Sequence, residues 1–157
     1  MQGRLAIPYL TPAGVVSIRF RTLTDGPKYL SRTGDHPTLY NVFDLHVPSP
    51  VICVTEGELD AVIVSKVVGP HRAGGLPAVG APGAQAWRDY YRIILQDYEK
   101  VLVLADGDQA GRDFAKRVVE GLNNAVVVPM PDGHDVNDLY LEIGARGFLE
   151  RLFGEQG

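Results

Sequence analysis

From Val51 onward the chain alternates short, unbroken apolar runs with longer stretches in which apolar residues return every three or four positions. Residues 51–54, 76–79, 101–105 and 125–128 are of strand length, and their continuity is that of strands buried on both faces. Between them, residues 58–68, 84–97 and 109–122 read as helices. The last of these places Ala110, Phe114, Val118 and Leu122 on one stripe, with Ala115 and Val119 beside it. Residues 84–97 carry Trp87, Tyr91, Ile94 and Tyr98 at helical spacing, a core stripe more than a cofactor box. Val136, Leu139, Tyr140 and Ile143 mark a further helix, and Phe148, Leu149, Leu152 and Phe153 a last amphipathic turn or two. Strands separated by helices predict an α/β fold: a four-stranded parallel sheet flanked by helices and joined by right-handed crossovers.

The first forty residues follow a different rule. Residues 5–10 and 15–23 flank the turn signal Thr11-Pro12-Ala13-Gly14, and the second run alternates Val16, Ile18 and Phe20 with Ser17, Arg19 and Arg21. Thr24-Asp25-Gly26-Pro27 is a second turn, leading into Lys28-Tyr29-Leu30-Ser31. Residues 37–45 read as a short helix and Pro48-Ser49-Pro50 as a linker. The chain therefore divides into a small β-rich N-terminal flap, residues 1–47, and an α/β domain, residues 48–157.

Composition narrows the class. The 157 residues are 45% hydrophobic and 22% charged, enough for one domain with a small appendage. With no apolar run of membrane-spanning length and no charged-then-apolar leader, the expectation is a soluble, unexported protein. A single cysteine, Cys53, excludes internal disulfides and thiolate zinc clusters, and its mid-strand position predicts a buried thiol. The net charge of -4 argues against tight, sequence-independent duplex binding. That charge is uneven. Residues 1–40 hold five basic side chains (Arg4, Arg19, Arg21, Lys28, Arg32) against Asp25 and Asp35, whereas the remainder holds ten against seventeen. A basic flap beside an acidic domain suits chemistry on polyanions, although scattered surface charge gives the same count.

The acidic excess is concentrated where strands end. Thr55-Glu56-Gly57-Glu58-Leu59-Asp60-Ala61 follows the first strand of the α/β region, and Ala105-Asp106-Gly107-Asp108-Gln109-Ala110-Gly111 follows the third. Pro131-Asp132-Gly133-His134-Asp135-Val136-Asn137-Asp138 follows the last. Open α/β sheets build their sites at these positions. Carboxylates converging there repel unless divalent cations lie between them, which predicts a magnesium site of few protein oxygens plus water and substrate phosphates. Alternate residues of an extended chain point the same way about 7 Å apart, so Asp106 and Asp108 can bridge one ion or hold two. Each piece has a plainer reading as well: Asp135 can cap the following helix, and Glu58 and Asp60 can favour a helix dipole.

Taken in order, the three acidic motifs resemble the Toprim domain shared by DnaG-type primases, topoisomerases and some nucleases. The similarity is greatest to bacterial and phage primases. Gly26-Pro-Lys-Tyr-Leu-Ser31 resembles the lysine-containing segment that precedes the Toprim core there, and Gly80-Ala-Pro-Gly83 the glycine turn between the first two motifs. The resemblance spans roughly residues 18–150. It implies Glu56, Asp106 and Asp108 as catalytic residues, and the same three with Asp135 as ligands of magnesium, for which manganese can substitute. Asn137 stands where many primases have a second aspartate, and the resemblance implies that it binds nucleotide or DNA. Lys28 is implied to face nucleotide or template, and Arg112 to reach a phosphate, with a solvated helix face as the alternative for Arg112. The implied activity is that of a DNA-directed RNA polymerase, making RNA primers on single-stranded DNA from ribonucleoside triphosphates. Glu56 as a general acid/base, as in topoisomerase sites, is the alternative role.

Two parts of such primases are not legible. The four histidines (His36, His46, His71, His134) are scattered without a zinc pattern, and no GxxxxGK[ST] motor motif occurs. The reading is therefore an excised domain or one part of a split primase, inactive or weak alone. Its expected partners are a separate zinc-binding N-terminal primase polypeptide and a replicative helicase, with no membrane, in the cytoplasm of a bacterial or phage-infected cell. A small Toprim nuclease and a non-catalytic nucleic-acid or partner-binding module are the alternatives.

Overall fold

The computed structural model describes residues 3–36, 38–68 and 76–154. Its strands form two sheets. In the larger, β4 (Val51–Thr55), β5 (Ala78–Gly80), β6 (Lys100–Ala105) and β7 (Ala125–Pro129) run parallel in the order β5-β4-β6-β7. The helices are α1 (Glu58–Val62, which widens into a π-helical stretch over Ile63–Val68), α2 (Tyr91–Leu95), α3 (Gln109–Val119) and α4 (Val136–Phe153).

Period-two alternation within β4 and β6 supplies a core on each side of this sheet. Ile52, Val54, Val101 and Val103 pack on one side with Trp87, Tyr91, Phe114 and Val118. Cys53, Leu102 and Leu104 pack on the other with Ala61, Val64, Val136, Leu139 and Phe148. Both strands are thus covered on both faces, as their unbroken apolar runs require. Burying Phe114 completely is worth about 1.5–3 kcal/mol. Cys53 is a buried free thiol in this core, and burial pushes it well above the usual thiol range.

Several boundaries differ from the periodicity. The stretch 84–97 is not one helix: a single 3-10 turn at Ala84–Ala86 precedes α2. Between them Trp87 is extended (φ -57, ψ 136) and buries its ring edge-on against Tyr91 and Phe114, so tertiary packing overrides helical spacing. Ile94 is consequently exposed. The stretch 109–122 stops at Val119, because Glu120 is extended and Gly121 has φ 81. Residues 125–128 are not fully buried. β7 is an edge strand paired only to β6, and Val126 stays 48% exposed. The last two helical signals are one element broken at Gly144, where φ is 68. Among residues 37–45, Pro37 lies outside the described residues, and the ordered turn is Val42–His46.

The smaller sheet is an antiparallel meander of β1 (Arg4–Thr11), β2 (Gly14–Thr22) and β3 (Tyr29–Ser31). β2 turns its polar side inward: Ser17 is buried and Arg19 nearly so, while Val16 is exposed. Asp35 secures this side by accepting from the Ser17 hydroxyl and the Ile18 N–H, at 3.0 and 2.9 Å. An antiparallel bridge between Tyr40 and Gly80 ties the entering chain to β5. The buried Asp44 carboxylate fixes the same edge, accepting from the Ala78 N–H at 2.9 Å. Among the described residues no helix is long and apolar enough to cross a membrane.

Candidate metal centre

The register of the parallel sheet decides where the acidic motifs meet. Thr55 of β4 lies opposite Leu104, and Ala105 of β6 opposite Pro129. The loops after β4, β6 and β7 therefore leave the sheet at one edge, and each carries one acidic motif.

Glu56 anchors the group. It is buried, and its Oε1 accepts from the Asp106 N–H at 3.0 Å. Glycine makes this approach possible: a Cβ on Gly111 would sit 2.1 Å from the Asp106 carbonyl oxygen and 2.7 Å from Glu56 Oε1. Gly107 is tighter still, since its Cβ would stand 1.8 Å from the Pro131 carbonyl oxygen. That contact exists because the second and third loops are stitched together. The Gly107 N–H donates to His134 O at 2.8 Å and the Gly133 N–H to Gly107 O at 2.9 Å.

Two of the carboxylates start helices as well. Asp108 caps α3, its Oδ1 accepting from the Gly111 N–H at 2.8 Å. Asp135 caps α4 through the Asp138 N–H at 2.8 Å, and the Asp138 carboxylate accepts from the Asp135 N–H in return. The capping reading of Asp135 is therefore correct. It leaves the residue on the cleft wall, so it does not exclude a ligand role.

Glu56, Asp60, Asp106 and Asp135 line one side of a cleft of about 140 Å³, and Arg21 of β2, Tyr29 of β3 and Lys28 just before it line the other. A neighbouring depression of about 180 Å³ lies between Asp106, Asp108, His134, Asp135 and Asp138. The electrostatics follow from crowding. Burial first, then the charges of Glu56, Asp135 and Asp108, push Asp106 up to about 7. Burial followed by Asp106 and Asp135 does the same to Asp60, again to about 7, against the opposing pull of Arg21 and Lys28. Glu56 is raised chiefly by burial, while its bond to the Asp106 N–H acts the other way.

These residues fit a hard divalent cation. Asp106 Oδ1 is buried without a hydrogen-bond partner among the described residues, and raised carboxyls are what a missing positive charge produces. No group of three or more acidic, histidine or cysteine side chains forms a ready-made cage among the described residues. Few carboxylates with water and phosphate filling the remaining positions is magnesium's habit.

The structure thus brings Glu56, Asp106, Asp108 and Asp135 to one sheet edge and sets Lys28 across from them. It does not bring Arg112 there: that guanidinium is on the exposed face of α3, donating to Gln109 Oε1 at 3.2–3.3 Å. Asn137 is half-buried in the first turn of α4 and lines neither cleft. His134 lines the second depression, and His71 lies outside the described residues. Asp60 is the member that the sequence reading assigned only to the helix dipole. Its only signal was membership of the first acidic motif, since Glu56 lies before the extended N-cap Gly57 and helical spacing does not relate the two. Arg21 was likewise counted only as part of a basic segment.

Residues 53–140 match the Toprim-like family. The Gene 57 protein of Mycobacterium phage D29 is 43% identical over 157 residues, covering 96% of this chain and 99% of that protein. A DNA primase of Halalkalibacterium halodurans is 27% identical over 166 residues, covering 98% of this chain and 27% of that one. The solved DnaG catalytic core aligns with a TM-score of 0.75 and 26% identity, over 95% of this chain and 52% of that chain. The chain therefore spans about a quarter of the matched primase and half of the matched catalytic core.

Proposed function

The chain belongs to the Toprim-like family, in the form carried by DnaG-type primases, and we propose that it is the magnesium-dependent nucleotidyl-transfer core of such a primase. The observation that carries this reading is a single cleft with carboxylates on one wall and Lys28 and Arg21 on the other. Magnesium held there would supply charge neutralisation for a triphosphate and lower the pKa of a primer 3′-hydroxyl, and manganese would be able to replace it. Glu56, Asp60, Asp106, Asp108 and Asp135 hold the metal side. Glu56 also fixes the second loop by accepting from the Asp106 N–H, so its carboxylate orients Asp106. Lys28 faces the anionic nucleotide or template strand. Arg112 and Asn137 line neither cleft, so any contact they make with nucleotide or DNA lies outside the metal cleft.

In this reading the substrates are single-stranded DNA and ribonucleoside triphosphates. The chain supplies the Toprim part of the machine, and a zinc-binding N-terminal polypeptide and a replicative helicase supply the rest. The phage D29 relative, matched over 99% of its own length, supports a division between polypeptides. The residues 1–47 form the flap and 48–157 the Toprim domain. The work is done in the cytoplasm of an infected or bacterial cell.

Titration calorimetry with manganese on wild type and Asp106→Ala tests the metal side. Wild type binds and the variant loses at least tenfold in affinity, the scale of one charged contact; equal binding removes Asp106 from the ligands. Incubation with single-stranded DNA, magnesium and ribonucleotides, with and without an added zinc-binding N-terminal primase polypeptide, tests the activity. Primer synthesis supports the proposal, whereas cleavage of the DNA without extension replaces it with a nuclease.

A further inference from the structure

Glu58 stands two residues from Glu56, yet it serves a different purpose. It is completely buried. Its Oε1 accepts from the Tyr9 hydroxyl at 2.7 Å and from Arg19 Nη1, and its Oε2 has no hydrogen-bond partner among the described residues. Tyr9 lies on β1 and Arg19 on β2, so one carboxylate at the start of α1 grips two strands of the small sheet. The chain of contacts continues. The Arg19 guanidinium lies 4.3 Å from the centre of the Tyr29 ring, and the Tyr29 hydroxyl accepts from Arg21 Nη1 at 3.1 Å. Arg21 and Lys28 then form the cationic wall opposite Glu56, Asp60 and Asp106.

The geometry points to Glu58 as a positioning residue that sets the Arg21–Lys28 ledge at its distance from the carboxylate wall, and so determines how firmly the cleft holds a metal-bound triphosphate. The ledge belongs to the small sheet and the turn before β3, and Arg19–Glu58 is the ion pair that joins that sheet to the start of α1 among the described residues. A buried guanidinium that loses its carboxylate is strongly disfavoured and seeks water. Arg19 leaving its place releases its stack on Tyr29, and with it the hydroxyl that orients Arg21. Glu58 therefore differs from the other carboxylates of its motif: its removal leaves the metal side intact and loosens the side facing the triphosphate. The triphosphate part of this inference rests on the nucleotidyl-transfer reading above, while the grip of Glu58 on the sheet does not.

The full chain is studied as wild type, Glu58→Gln, Arg21→Gln, the double variant and Tyr9→Phe. Three quantities are read: manganese affinity by calorimetry, affinity for ATP with magnesium, and backbone hydrogen exchange without ligand. Glu58→Gln keeps manganese affinity within about twofold of wild type and weakens ATP binding roughly tenfold, the scale of one charge-assisted hydrogen bond. Arg21→Gln weakens it similarly. The double variant loses no more than about twofold beyond either single change, because both act through one ledge. Amides of residues 17–22 and 29–31 exchange faster in Glu58→Gln, and those of residues 101–105 do not. Tyr9→Phe, which keeps all charges, moves exchange and ATP affinity the same way by a smaller factor, and it decides the matter if Glu58→Gln does not fold.

A merely structural Glu58 gives a double variant whose losses multiply, and that result overturns the inference. So does a tenfold loss of manganese affinity in Glu58→Gln, which makes Glu58 a ligand, or unchanged ATP affinity. Wild type that binds manganese but not ATP refutes the nucleotidyl-transfer reading instead. The exchange comparison then judges the grip alone, and unchanged exchange in Glu58→Gln overturns it.

Discussion

Removing divalent cations and raising the pH exposes the crowding of Asp60 and Asp106 as a loss of stability. Each carboxyl titrates near 3.8 when unfolded and at about 7 in the folded, metal-free protein. Between those values the folded chain binds more protons than the unfolded one, so stability falls as pH rises. Their contribution is fully present below about pH 4 and is lost as pH passes through 7; Glu56, also raised, adds in the same direction. The displaced Asp35 has the opposite sign, held low first by the Ile18 N–H, and acts only on the acid side of this window. One carboxyl moved that far corresponds to roughly 4 kcal/mol at 1.36 kcal/mol per pH unit. The two share one field and are partly open to water, so together they amount to about 2–4 kcal/mol. For a chain of this length that is roughly 5–10 °C in melting temperature. Scanning calorimetry in a chelating buffer should show the midpoint falling by this amount from pH 5 to pH 8. Magnesium added at pH 8 should restore most of it, and Asp106→Asn should remove about half of the fall. A midpoint that is flat or rises across this range, or an equal magnesium effect in Asp106→Asn, refutes the account of the site.

Asp135 and Gly107 give two further tests. Asp135→Asn keeps a competent cap, so its melting temperature stays near wild type while manganese affinity drops; Asp135→Ala loses both, with a stability cost of about 1 kcal/mol in denaturant melts. Gly107→Ala forces a Cβ against the Pro131 carbonyl, which separates the second loop from the third, and should cost about 3 kcal/mol and abolish detectable manganese binding. Stability within 0.5 kcal/mol of wild type by the same melts would show that the two loops are not stitched as described.

Much of this was legible in the sequence, and the failures share a cause. Unbroken runs such as residues 101–105 announced strands covered on both faces, and the three acidic motifs sat at their ends. The parallel order makes those ends neighbours, so the meeting of Glu56 with Asp106 followed from topology. Periodicity failed where a single large side chain or an edge position decided the backbone. Trp87 left its helix to fill a core that no local pattern describes, and β7 reads like β6 although only one of them has neighbours on both sides. Asp60 and Glu58 illustrate a subtler limit. Both lie in the same turn of α1, and only the third dimension shows that one faces the carboxylates and the other an arginine of a distant strand.

Asp108 and Asp135 are each both cleft wall and helix start, and this restricts how the protein can drift over evolutionary time. Exchanging either for histidine or cysteine, to court a softer ion, would also give up the cap of α3 or α4, at about 1 kcal/mol of stability. Asparagine, serine and threonine remain tolerable there, and all are oxygen donors. Any lineage that changes its ion must do so through Glu56, Asp60 or Asp106, whose side chains cap no helix.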